Sequence, residues 1–123
     1  MKLIIGGVGS GKLEYAAKLA GVRPEEAAMD LESAKGAKIL SGLHRCVREA
    51  MEAGEDPDLL VDELLAANPE ILVISDEIGC GIVPLDPFER RWREKVGRVC
   101  CRLAGRADEV IRMDCGCPQK IKG

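Results

Sequence analysis

The sequence predicts an α/β fold of three layers with a mainly parallel sheet, on three observations. Ile71-Leu72-Val73-Ile74-Ser75 is a continuous apolar run rich in β-branched residues, as a strand covered on both faces should be. Lys2-Leu3-Ile4-Ile5 is a second short apolar run, and it ends in glycines. Between and after these runs lie stretches with apolar residues at helical spacing, and alternation of strands with helices implies parallel strands joined by crossovers.

Taken in order, the first strand passes through Gly6 into a glycine-rich turn and then a helix over 11–19. Residues 26–30 form a weak strand candidate ending at Asp30. From 37 to 53, Ile39, Leu40, Leu43, Val47, Ala50 and Met51 recur at helical spacing, with Gly54 as the stop. Asp56-Pro57 reads as an N-cap with proline at the first helical position, opening a helix that Asn68-Pro69 ends. The strand at 71–75 follows, then a glycine-punctuated loop over 79–84. Asp86-Pro87 opens a long helix whose stripe is Phe88, Trp92, Val96, Val99 and Leu103. Residues 109–113 are the last strand, leading into Cys115-Gly116-Cys117-Pro118 and a short tail.

A chain of 123 residues has room for one buried core, so residues 1–123 are expected to form a single domain. Eighteen Lys and Arg against 21 Asp and Glu give a net charge of -3, which supplies no global pull toward nucleic acid or anionic lipid. No apolar run approaches the roughly 18 residues of a membrane span, and the start lacks the apolar core of an export signal. A cytoplasmic protein without membrane or nucleic-acid partners is expected. Its six cysteines then read as reduced thiols, and neither Cys100-Cys101 nor Cys115-Gly116-Cys117 has the spacing of a zinc knuckle.

The chemistry is concentrated at two places. Gly6-Gly7-Val8-Gly9-Ser10-Gly11-Lys12 follows a strand and opens a helix, the setting in which a phosphate loop is credible. Its glycines let backbone N–H groups turn inward around a phosphate, the helix N-terminus adds positive potential, and Lys12 brings a mobile cation. A P-loop NTPase-like fold follows. Leu13 stands where such loops carry a serine or threonine hydroxyl, and it offers no oxygen to Mg²⁺. Phosphate binding survives that change, while metal dependence is expected to weaken. Asp76-Glu77 closes the central strand and resembles a Walker B segment, placing two carboxylates at the edge of the sheet where α/β folds bind ligands. One would hold Mg²⁺ through water, the other would orient or deprotonate an acceptor. His44 is the sole histidine; a lone helical histidine is more often a surface or packing residue than a nucleophile, and helical periodicity alone leaves the two undecided. The arginines of the long helix read as a solvated face, with Arg98 beside Gly97 as the exception that close backbone approach could bring to a ligand.

With these pieces placed, the sequence from the central strand to the C-terminus resembles the bifunctional adenosylcobinamide kinase / adenosylcobinamide-phosphate guanylyltransferase family. The resemblance is carried by Glu77-Ile78-Gly79 with Gly81-Ile82-Val83-Pro84, Phe88, Arg91, Gly97-Arg98-Val99, Leu103-Ala104, Ala107-Asp108-Glu109-Val110 and Ile121-Lys122. The opening strand and glycine loop are similar to the family's own, with Leu13 replacing a serine. The resemblance implies an enzyme of cobalamin biosynthesis with GTP or ATP on the loop, Mg²⁺, a cobinamide-type corrinoid as acceptor, and a homo-oligomer. Family members are longer; their middle carries a histidine-rich stretch with the guanylylated histidine, then an Asp-Cys-Leu-Thr-like strand with no legible counterpart here. By resemblance His44 would be the covalent histidine, with Lys12 and Glu77 serving phosphoryl transfer to the acceptor hydroxyl. Two other readings stay open: a P-loop NTPase or small-molecule kinase with a different acceptor, and a non-catalytic nucleotide- or corrinoid-binding relative.

Overall fold

The computed structural model describes residues 1–78 and 85–123. The loop expected over 79–84, with the resemblance residues Gly79, Gly81, Ile82, Val83 and Pro84, lies outside the described residues. In chain order the elements are β1 (Lys2–Gly6), α1 (Lys12–Ala20), a 3₁₀ turn (Pro24–Glu26), α2 (Leu31–Ala34), β2 (Ile39–Ser41), α3 (Leu43–Glu52), α4 (Pro57–Ala67), β3 (Leu72–Asp76), α5 (Pro87–Arg106), β4 (Glu109–Asp114) and β5 (Cys117–Lys122).

The strands form one sheet in the order β2-β3-β1-β4-β5, in which only β5 runs antiparallel to its neighbour. Because successive strand residues point to opposite faces, the buried side chains sort into two cores. Ile4, Ile74 and Ile111 face Ala16 and Ala17 of α1. Leu3, Val73 and Val110 face the other way, onto Leu43 and Val47 of α3, Val61 and Leu64 of α4, and Val96, Val99 and Leu103 of α5. The result is the expected three layers. No helix among the described residues is long and apolar enough to cross a membrane.

Local chemistry fixes the boundaries. The Asp56 and Asp86 side chains accept from the backbone N–H groups of Asp58 and Phe88, each with proline at the first helical positions, so both capped starts are as expected. Three expectations need correction. The segment 37–53 is not one helix: Ile39–Ser41 pairs with β3, and Gly42, at φ 85°, turns the chain into α3. The candidate strand at 26–30 is instead the end of the 3₁₀ turn and a bent segment with a single bridge, Ala28 to Leu40, and Asp30 caps α2 by accepting from the Ser33 N–H. The tail is a strand, joined to β4 by a tight turn in which Cys115 and Gly116 both have positive φ.

β1 and β3 are adjacent, with Gly6 opposite Asp76. That register brings the glycine loop and the Asp76-Glu77 segment to one edge of the sheet.

Candidate functional site

The loop between β1 and α1 turns at Gly9 and Gly11, both in the left-handed region (φ 72° and 87°), where glycine avoids the steric cost of a side chain. Gly6 is required for another reason. A Cβ there would lie 2.6 Å from the Met113 carbonyl oxygen and 2.7 Å from Ser10 Oγ, so the strand end and the loop can approach this closely only without a side chain. The loop is braced from outside by the β4–β5 turn, where the Gly116 N–H donates to the Ser10 carbonyl (2.9 Å). The first N–H groups of α1 have no partner within the helix and open at the loop.

Lys12 is 7% exposed, unusually buried for a lysine. Its Nζ has three partners: it donates to the Gly7 carbonyl at 2.6 Å and to Ser10 Oγ at 3.4 Å, and it pairs with Asp76 Oδ1 at 2.8 Å. The ammonium is thus held at the mouth of the loop by a carbonyl and a carboxylate.

The same carboxylate meets His44. The Asp76 backbone N–H donates to His44 Nδ1 (3.2 Å), and His44 Nε2 lies 3.4 Å from Asp76 Oδ2. An accepting Nδ1 is unprotonated, so the ring is neutral with its proton on Nε2, toward Asp76. Partial burial pushes the His44 pKa down, Asp76 pulls it back up, and Arg45 and Lys12 add to the lowering. Trp92 Nε1 donates to the His44 carbonyl (2.8 Å), tying the start of α3 to α5.

Lys12, Asp76 and His44 border one open cleft of about 190 Å³, together with Leu13, Ser41 and Arg45. Glu77 does not join them. Adjacent residues at a strand end diverge, and Glu77 Oε1 receives the Arg112 Nε and Nη2 at 2.9 and 2.7 Å, away from the loop lysine. Arg98 is also outside the cleft: it is exposed on α5 and paired with Glu94, and nothing approaches within 4 Å of Gly97 where a Cβ would stand. Of the expected carboxylate pair, Asp76 borders the cleft and Glu77 pairs with Arg112.

These residues do not fit a protein-held Mg²⁺. Leu13 brings no oxygen, both Asp76 oxygens face other partners, and no cluster of three or more His, Cys, Asp or Glu among the described residues could hold a metal.

Sequence reasoning missed Ser41, Gly42 and Arg45, because 37–53 read as unbroken helix. The signal was present in Ser-Gly between an apolar pair and a helix, a second strand-glycine-helix passage like the first. The strand also changes the reading of His44. β2 and Gly42 place it at the start of α3, with its imidazole against Asp76.

Comparison with known proteins adds the family. The sequence model described as cobinamide kinase / cobinamide phosphate guanyltransferase matches residues 34–121, most of the chain. The chain belongs to this family. A relative, the bifunctional adenosylcobalamin biosynthesis protein CobU of Salmonella typhimurium, is 38% identical over 77 residues, covering 59% of this chain and 41% of that protein. The chain thus spans about two fifths of the length of the curated relative it matches. The family match begins at Ala34, beyond the glycine loop, so the role of the loop rests on its geometry.

Proposed function

We propose that residues 1–123 form one nucleotide-binding domain of the P-loop type that takes ATP or GTP and transfers a phosphoryl group to a cobinamide-type corrinoid. The observation that carries this reading is the buried Lys12 ammonium, held at the N-terminus of α1 by the Gly7 carbonyl and the Asp76 carboxylate. A cation so placed, beside unpaired helix N–H groups, suits a phosphate. Family membership supplies the acceptor class.

The step follows from the exchange of partners. As Lys12 turns from Asp76 to the transferred phosphate, Asp76 Oδ1 becomes free to accept the proton of the acceptor hydroxyl. The hydroxyl oxygen then forms its bond to the γ-phosphorus, the bond to the bridging oxygen breaks, and the nucleoside diphosphate leaves with that oxygen. Because phosphoryl transfer has a loose transition state, positioning and charge stabilisation matter more here than the strength of the base. His44 is a positioning residue in this scheme: its Nδ1 lone pair accepts the Asp76 N–H and its Nε2 carries the proton toward Asp76 Oδ2, which leaves no lone pair to attack phosphorus.

The test is the mass of the corrinoid after incubation with each nucleotide and Mg²⁺. A gain of one phosphoryl group, absent in Lys12→Ala, is expected. A gain of one GMP would favour guanylyl transfer, and unchanged corrinoid with nucleotide consumed would favour a different acceptor.

A further inference from the structure

Arg45 stands apart from the other described arginines near the site. Arg48 is bound to Glu89 at 2.7 Å and covered by the rings of Phe88 and Trp92, and Arg112 is bound to Glu77. Arg45 has no carboxylate partner among the described residues. Its Nη2 touches only the Ser41 carbonyl at 3.4 Å and Met29 Sδ at 3.9 Å, both weak. The side chain is exposed, yet it borders the same cleft as Lys12.

The backbone leaves room for it there. Gly42 is in the left-handed region, and a Cβ at that position would fall 2.3 Å from Arg45 Nη2. The guanidinium therefore lies back over bare backbone at the end of β2, toward the cleft. A guanidinium presents five N–H donors in a planar fork that matches phosphate oxygens. Of the carboxylates that border the cleft, Glu14 is exposed and Asp76 is already held by Lys12 and His44, while Glu49, one helical turn on, and Asp30, beside Met29, make no ion pair with Arg45 among the described residues.

We propose that Arg45 is a second phosphate-binding cation of the cleft, gripping the nucleotide phosphates opposite Lys12. The inference rests on the nucleotide reading above and assigns that site a residue it lacked. It also gives Leu13 a physical context: where the loop supplies no hydroxyl for a metal, a guanidinium neutralises part of the phosphate charge, and nucleotide binding depends less on Mg²⁺.

The experiment is calorimetric titration with β,γ-imido analogues of ATP and GTP, in Mg²⁺ and in EDTA, on the intact protein and on Arg45→Ala, Arg45→Lys and Lys12→Ala. Arg45 makes no ion pair among the described residues, so its variants should melt with the parent protein. The expected result is parent affinity in EDTA within about tenfold of that in Mg²⁺, a loss of roughly 10- to 100-fold in Arg45→Ala that is larger in EDTA, and partial recovery in Arg45→Lys. Parent-like affinity of Arg45→Ala beside a clear loss in Lys12→Ala would overturn the role of Arg45 and leave the nucleotide site standing. Parent-like affinity of Lys12→Ala would overturn the nucleotide site itself.

Discussion

Replacing His44 with alanine separates a positioning role from a nucleophilic one. The substitution removes the acceptor of the Asp76 N–H and the neighbour of Asp76 Oδ2, from a side chain that is 14% exposed. Leaving a largely buried N–H without its partner costs about 1–3 kcal/mol, and the open cleft lets water recover part of it, so about 1–2 kcal/mol is expected. For 123 residues the entropy of unfolding is about 0.26 kcal/mol/K, and the melting temperature should fall by roughly 4–8 °C. Differential scanning calorimetry at pH 8 reads this directly. The pH dependence carries a further signature. Burial depresses the folded-state pKa of His44, so the unfolded chain takes up the proton first. The contribution is complete above the unfolded value near 6.5 and is lost as pH falls through the lower folded value. His44→Gln should flatten that slope while nucleotide affinity near pH 8 stays within a few-fold of the parent. A GMP adduct on the parent protein that survives denaturation and vanishes in His44→Ala would refute the reasoning.

Asp76→Asn should cost about 1–3 kcal/mol by leaving the buried ammonium without its carboxylate, partial exposure of Asp76 keeping the loss below that of a fully buried pair. It should also tighten metal-free nucleotide binding by releasing Lys12, while transfer to the acceptor falls; titration and product mass check the two halves. Gly6→Ala forces a Cβ against the Met113 carbonyl, and a loss of about 2 kcal/mol or more is expected in denaturant unfolding. Cys46 is buried and its thiol is pushed up to about 11, so iodoacetamide at pH 8 should modify the exposed Cys101, Cys115 and Cys117 well before it, as peptide mass mapping would show.

What the sequence revealed followed the strength of the local signal. β1 and β3 were legible because each carries a continuous apolar run, and β4 because Val110, Ile111 and Met113 follow the long helix as a short apolar group. The starts of α4 and α5 were legible because aspartate followed by proline has few other uses. β2 was hidden because Ile39, Leu40 and Leu43 satisfy a helical period as well as a strand, and only pairing with β3 and the left-handed Gly42 decide between them. β5 was hidden because its residues are exposed on both faces and show no alternation; its turn and its pairing with β4 make the strand. At the site, the loop and Lys12 could be read from spacing alone. The divergence of Asp76 and Glu77 follows from the two-residue period of a strand, but the partner that captures Glu77 is Arg112, 35 residues away. Arg45 reaches the cleft only through the β2–α3 turn, and so was invisible until that turn was seen.

A crystal structure of the protein with a β,γ-imido nucleotide would show directly whether the phosphates bind at Lys12. The phosphates are expected at the N-terminus of α1 within hydrogen-bond distance of Lys12 Nζ, with the 2.8 Å contact between Lys12 and Asp76 lengthened or broken. A nucleotide bound elsewhere, with Lys12 still closed on Gly7 and Asp76, would contradict this expectation.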